Sequence, residues 1–104
     1  MDSQNTFTLR STSFQMGTIG AEIGRAVAWR ANPVYGNPDT CILRALTYIE
    51  QAQHSLNITT GKRRELARLK EVLIDWYYGD NTYQTKTVDW DRYFLPFSLA
   101  ANQE

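Results

Sequence analysis

The chain has 104 residues, 42% hydrophobic and 12% aromatic, with eleven Lys plus Arg against eleven Asp plus Glu. That is the size of one domain with a modest core, and zero formal charge excludes a protein that coats nucleic acid or an anionic membrane with its whole surface. A single cysteine, Cys41, and a single histidine, His54, exclude an intramolecular disulfide and a Cys/His zinc site, so neither metal nor cofactor is expected.

Residues 1–11 are polar and aperiodic, which predicts a flexible tail with at most a short extended piece at Phe7-Thr8-Leu9. They lack the basic and then apolar regions of a signal peptide. No run anywhere approaches the roughly 18 apolar residues of a membrane span. A cytoplasmic chain with no membrane contact is the expectation. Thr12 followed by Gln15 has the pattern of a capping box and opens a first helix, which Asn32-Pro33 ends. Ile19, Ile23 and Val27 recur along it at helical spacing. The same helix carries Gly17, Gly20 and Gly24, each costing it roughly 1 kcal/mol relative to alanine. Gly20, Gly24 and Ala28 form a smooth strip along one side, which admits a close neighbour. Three neighbours fit it: the helical hairpin that follows, the aromatic residues of the last helix, or a second copy of this helix. Leucine at Gly20 or Gly24 should then disrupt packing or assembly.

Asn37-Pro38-Asp39 is the clearest helix start in the chain, with a cap, a proline at the first position and an acid in the first turn. Ile42, Ala45, Leu46, Ile49, Ala52, Gln53 and Leu56 share one face of this second helix. Thr59 or Thr60 caps a third helix over about Gly61–Tyr78, with Leu66, Leu69, Leu73 and Trp76 as its inner stripe and Gly79 as its C-terminal cap. These two helices are expected to form an antiparallel hairpin. Thr87 opens a last helix with an apolar face of Trp90, Tyr93, Phe94 and Phe97. Pro96 costs a helix interior about 3 kcal/mol, so this helix should end near Leu95 or kink. The fold class that follows is all-α: a small antiparallel bundle of three long helices plus a short C-terminal helix, one domain over residues 1–104.

Chemistry-bearing patterns are few. Lys62, Arg63, Arg64 and Arg68 concentrate positive charge at the start of the third helix, where free N–H groups also favour an anion. This is the candidate anion or nucleic-acid site. Thr59-Thr60-Gly61-Lys62 does not extend to a phosphate-binding loop, because Leu56 stands where the first glycine belongs and Arg63 where Ser or Thr belongs. Glu50 lies one turn before His54, but the two are not repeated on a second helix as a di-iron bundle requires. An enzyme built on His54 therefore ranks last, and no catalytic residue is assigned. Cys41, in the first turn of its helix, reads as a small buried residue.

Aromatic residues crowd the last third of the chain. Trp76, Tyr78, Tyr83, Trp90, Tyr93 and Phe97, together with Gly20, Gly24 and Ala28, are the candidate interface residues. The leading expectation is a non-catalytic helical interaction module with a protein partner or, as a homodimer, with itself. Binding of an anion or nucleic acid through the basic segment is the alternative.

Overall fold

The computed structural model describes residues 3–104, with side chains from Thr6 onwards. Its helices are α1 (Ser3–Thr8), α2 (Thr12–Ala31), α3 (Pro38–Gln53), α4 (Thr60–Tyr77) and α5 (Thr87–Ala101), with one 3-10 turn at Pro33–Tyr35. No strand occurs among the described residues. The fold is all-α, a helical bundle as expected.

Local signals set most boundaries. Asn37 accepts the N–H of Asp39 at 2.9 Å and Pro38 takes the first helical position of α3. Thr59 accepts the N–H of Lys62 at 3.0 Å and starts α4. The start of α2 differs from expectation. Ser11 is the cap, accepting from Phe14 N at 3.1 Å. Gln15 turns inward instead and donates to the Phe7 carbonyl at 3.0 Å and to Ser55 Oγ at 2.8 Å. The end of α4 also differs. The left-handed residue there is Asn81, at φ 54°, and Gly79 does not adopt positive φ. Asn81 can do this because its side chain closes a local ring, bonding the Thr85 carbonyl at 3.1 Å and the Thr85 N–H at 2.9 Å.

Two further expectations are corrected. Residues 3–8, expected within a tail, form α1, whose Phe7 is buried with its ring 4.9 Å from that of Tyr48. One large apolar residue among polar neighbours carries no period, yet it suffices to dock a turn of helix. The last helix does not stop at Leu95 but runs through Pro96 to Ala101. Pro96 forfeits the bond to the Arg92 carbonyl, but Arg92 is exposed, so water can take its place. The turns beyond Pro96 are held by α2, where a Cβ at Gly17 would lie 3.9 Å from both Ser98 and Ala101.

Contacts fix the directions of the four long helices. Asp39 meets Tyr77, Glu50 meets Lys70 and the Gln53 carbonyl meets Arg63, so α3 and α4 are antiparallel, as the hairpin expectation required. Trp76 against Trp90, Glu65 against Tyr93 and Lys62 against Phe97 set α5 antiparallel to α4. Glu22–Arg44 and Gln15–Ser55 do the same for α2 and α3, and Gly20–Phe94 and Gly17–Ser98 for α2 and α5. The result is an up-down-up-down bundle. Its core draws Met16, Ile19, Ile23 and Ala26 from α2, Ile42, Ala45, Ile49 and Ala52 from α3, Leu66, Leu69, Leu73 and Trp76 from α4, and Trp90 and Phe94 from α5. The most extensive backbone contacts are those of α2 with α3 and α5, so the glycine-bearing helix, rather than the α3–α4 hairpin, is the centre of packing.

Candidate functional site

The smooth strip of α2 is divided between two environments. At Gly20 the strip is filled, because an added Cβ would lie 2.6 Å from Cγ of Phe94 and 2.8 Å from its Cβ. Phe94 of α5 therefore lies directly on the α2 backbone, and only glycine leaves room for it. Of the neighbours that fit the strip, the aromatic last helix takes this position. At Gly24 nothing lies within 4 Å of an added Cβ, and Ala28 is exposed. The far half of the strip faces open space in this chain, so a Cβ at Gly24 meets no intramolecular obstacle.

The candidate aromatic residues also divide. Trp76 and Trp90 are buried and meet edge to face at 5.6 Å, while Tyr93 and Phe97 are half-buried beside them. These four line the α4–α5 junction. Tyr78 and Tyr83 are exposed. Tyr83 is nevertheless committed: its hydroxyl donates to Glu71 at 2.9 Å, and its N–H joins that of Thr82 on the Asp75 carboxylate. Those backbone donors hold the Asp75 carboxyl below its ordinary pKa.

Most of the basic segment is already engaged. Lys62 pairs with Glu65 at 2.7 Å and lies 5.0 Å over the Phe97 ring. Arg63 reaches the Gln53 carbonyl at 3.4 Å, and Arg68 stacks 5.4 Å over Tyr83. Arg64 is exposed. The cations thus serve α3, α5 and the α4–α5 connection, and they do not converge on one point.

Two carboxylates that sequence reasoning did not single out organise the bundle. Glu22 is buried between α2 and α3, with Arg25 Nε at 3.1 Å and the Arg44 guanidinium on its other oxygen. Burial pushes its carboxyl up, but hydrogen bonds and charge from both arginines prevail and leave it below the ordinary value. Glu65 bridges Lys62 and the Tyr93 hydroxyl, the latter at 2.5 Å. It too ends below its ordinary value, its donors outweighing burial, and the phenol of Tyr93 is raised by burial and by this bond. The signal that reveals Glu22 is its position: it lies three residues after Ile19 and four before Ala26, on the inward side of α2. Its distant partner Arg44 is visible only after folding.

Beside the α4–α5 junction lies a cleft of about 360 Å³, lined by Glu65, Arg68, Leu69, Val72, Thr85, Asp89, Trp90 and Tyr93. A second, larger cleft of about 550 Å³ lies over α1, α2 and α3, between Phe7, Phe14, Tyr48 and Leu43. His54 is exposed at the end of α3, and Glu50 turns to Lys70 at 3.0 Å, so the pairing considered for a general base is not formed. Cys41 is buried, with Arg44 Nη2 at 3.5 Å from its sulfur. Among the described residues no group of three or more His, Cys, Asp or Glu is placed to hold a metal ion, and no helix is long and apolar enough to cross a membrane.

No protein-family model, curated protein or solved structure matches this chain. Its function is therefore read from its own residues.

Proposed function

We propose that the chain is a non-catalytic helical interaction module that self-associates through the outer face of α5. The observation that carries this reading is a second apolar face on that helix. Trp90, Phe94 and Phe97 pack inward. On the opposite side Val88, Leu95 and Leu99, spaced by seven and four residues, form a stripe with relative exposures of 41%, 57% and 55%. A helix that is apolar on both sides is a helix with neighbours on both sides. Surface leucines standing singly are ordinary, but Leu95 and Leu99 lie one turn apart on one side of a helix, with Val88 two turns before Leu95 on the same side.

A second copy suits the patch in two ways. The chain has zero formal charge, so copies do not repel one another at long range. Asp91 and Arg92 carry opposite charges on the two flanks of the stripe. A parallel twofold arrangement therefore brings Asp91 of each copy towards Arg92 of the other, the self-complementarity that a symmetric dimer needs. Light scattering over a rising concentration series tests this. A dimer is expected, and Leu95→Glu should weaken association at least about tenfold while helicity is retained. A wild-type chain that stays monomeric at millimolar concentration removes the reading, and so does a Leu95→Glu chain that dimerises equally well.

A further inference from the structure

The outer face of α3 carries a pattern that self-association through α5 does not use. Thr40, Leu43, Arg44, Thr47, Tyr48 and Gln51 follow one another in steps of three and one, so they share one stripe of the helix. The stripe runs for about three turns, roughly 16 Å. It forms one wall of the cleft of about 550 Å³, and Phe14 and Thr18 of α2 with Phe7 of α1 form the other. Leu43 is 59% exposed there, and Phe14 and Tyr48 are half-buried. A groove of this length, with large apolar side chains on both walls, fits a helix laid along it.

Charge selects which helix. The cleft is lined by two arginines, Arg10 and Arg44, and by no carboxylate. The acids of α3 turn away towards α4, Asp39 to the Tyr77 hydroxyl and Glu50 to Lys70 at 3.0 Å. Glu22 lies behind Arg44 but also serves Arg25, so one carboxylate faces two guanidiniums and a positive charge is left over. Arg10 lies 3.7 Å over the Phe14 ring and has no ion pair among the described residues. Glu104, in the neighbouring hollow, accepts from Ser11 instead. The two arginines also stand apart along the groove. Arg44 is level with Glu22 and Arg10 with Phe14, roughly 12 Å away along α2.

We infer that this cleft docks an acidic amphipathic helix of a partner protein. Apolar side chains of that helix pack against Phe14, Leu43 and Tyr48. Two carboxylates about two turns apart, one on each side of the apolar group, pair with Arg10 and Arg44. The α5 stripe lines no part of this cleft, so docking and oligomeric state can be measured independently.

The test is a titration of the full chain into a labelled, alanine-rich helical peptide, followed by fluorescence anisotropy. The peptide carries Glu at its fifth and twelfth positions and Leu at its eighth and ninth. Matched peptides carry Gln or Lys in place of both Glu. The Glu peptide should bind saturably, and more weakly as salt is added. Arg10→Gln removes one exposed pair and should weaken binding about fivefold. Leu43→Glu should weaken it at least about tenfold, with helicity and the dimer retained. The inference is overturned if the Glu peptide shows no saturable binding at millimolar chain, or if the Gln or Lys peptide binds as tightly. It is equally overturned by wild-type affinity in Arg10→Gln or Leu43→Glu. A Leu43→Glu chain that loses its dimer also overturns it, because the cleft then belongs to a second copy.

Discussion

The two sides of α5 are built on opposite rules. Towards α2 it meets a glycine, and Phe94 rests on bare backbone at Gly20. Towards α4 it presents Trp90 and Tyr93, and the two helices stand apart around these rings and Trp76 with a cleft beside them. Small residues bring helix axes together, and large rings hold them apart. One helix therefore has a tight wall, where any added atom is felt, and a loose wall with room for a guest. The seemingly wasteful glycines of α2 belong to the tight wall only where α5 covers them.

Adding volume to the tight wall should produce the largest effect. Gly20→Leu places its Cβ where Phe94 Cγ and Cβ already stand, so rings or helices must shift. Overpacking of this kind costs about 3 kcal/mol. Chemical denaturation of the variant should show that loss. Phe94→Ala in the same chain should make the added leucine far less costly than it is alone, because the space is then free. Additive losses in the double variant would mean that Gly20 is needed for some reason other than the ring above it.

The two organising carboxylates extend the comparison to charge. Glu22 sits in the tight part of the bundle between α2 and α3, and Glu65 at the loose α4–α5 wall. Removing one partner of a buried pair costs several kcal/mol when both partners are buried. Here the arginines are about half exposed and water relieves them, so Glu22→Gln should cost about 2 kcal/mol. Glu65→Gln should cost about 0.5 kcal/mol, the value of a partly exposed pair. The pH dependence has a definite sign. Both carboxyls are held below their ordinary value of 4.5 in the folded chain, so the stability they supply is complete above that pH. It is lost as pH falls through their lowered folded-state values. Acid titrations of stability should therefore be shallower in Glu22→Gln than in wild type. An unchanged acid slope would show that Glu22 is not the group that matters there.

The bundle was legible in the sequence wherever a local rule acts alone. Asn37-Pro38 and Thr59 start their helices by capping, and Ile42, Ala45, Ile49 and Ala52, like Leu66, Leu69 and Leu73, turn inward at their expected spacing. What was not legible depends on partners distant in sequence. Gln15 has the position of a capping residue but is claimed by Phe7 and Ser55. Pro96 has the chemistry of a helix stop, but the α2 wall holds the turns after it. Of the candidate aromatic residues, Trp76 and Trp90 went inside, while the exposed apolar stripe of α5 fell to Val88, Leu95 and Leu99. That stripe was present in the sequence as a second period on a helix whose inner face had already been accounted for. The α4–α5 cleft was not, since it forms only where Trp90 and Tyr93 of α5 come to face Leu69 and Val72 of α4.

Gly24 provides the most discriminating effect, because it carries the same residue as Gly20 on the same helix with no covering wall. A Cβ there meets nothing within 4 Å, and its φ is ordinary for a helix. Alanine should therefore restore helix propensity and stabilise the chain by about 1 kcal/mol, raising Tm by about 4 °C. The change should be the same at low and high protein concentration if association uses the α5 stripe alone. A Gly24→Ala chain that is stabilised when dilute but loses its dimer would place the open half of the glycine strip in the interface. The tight and loose walls of this bundle would then be joined by a third, formed only between copies.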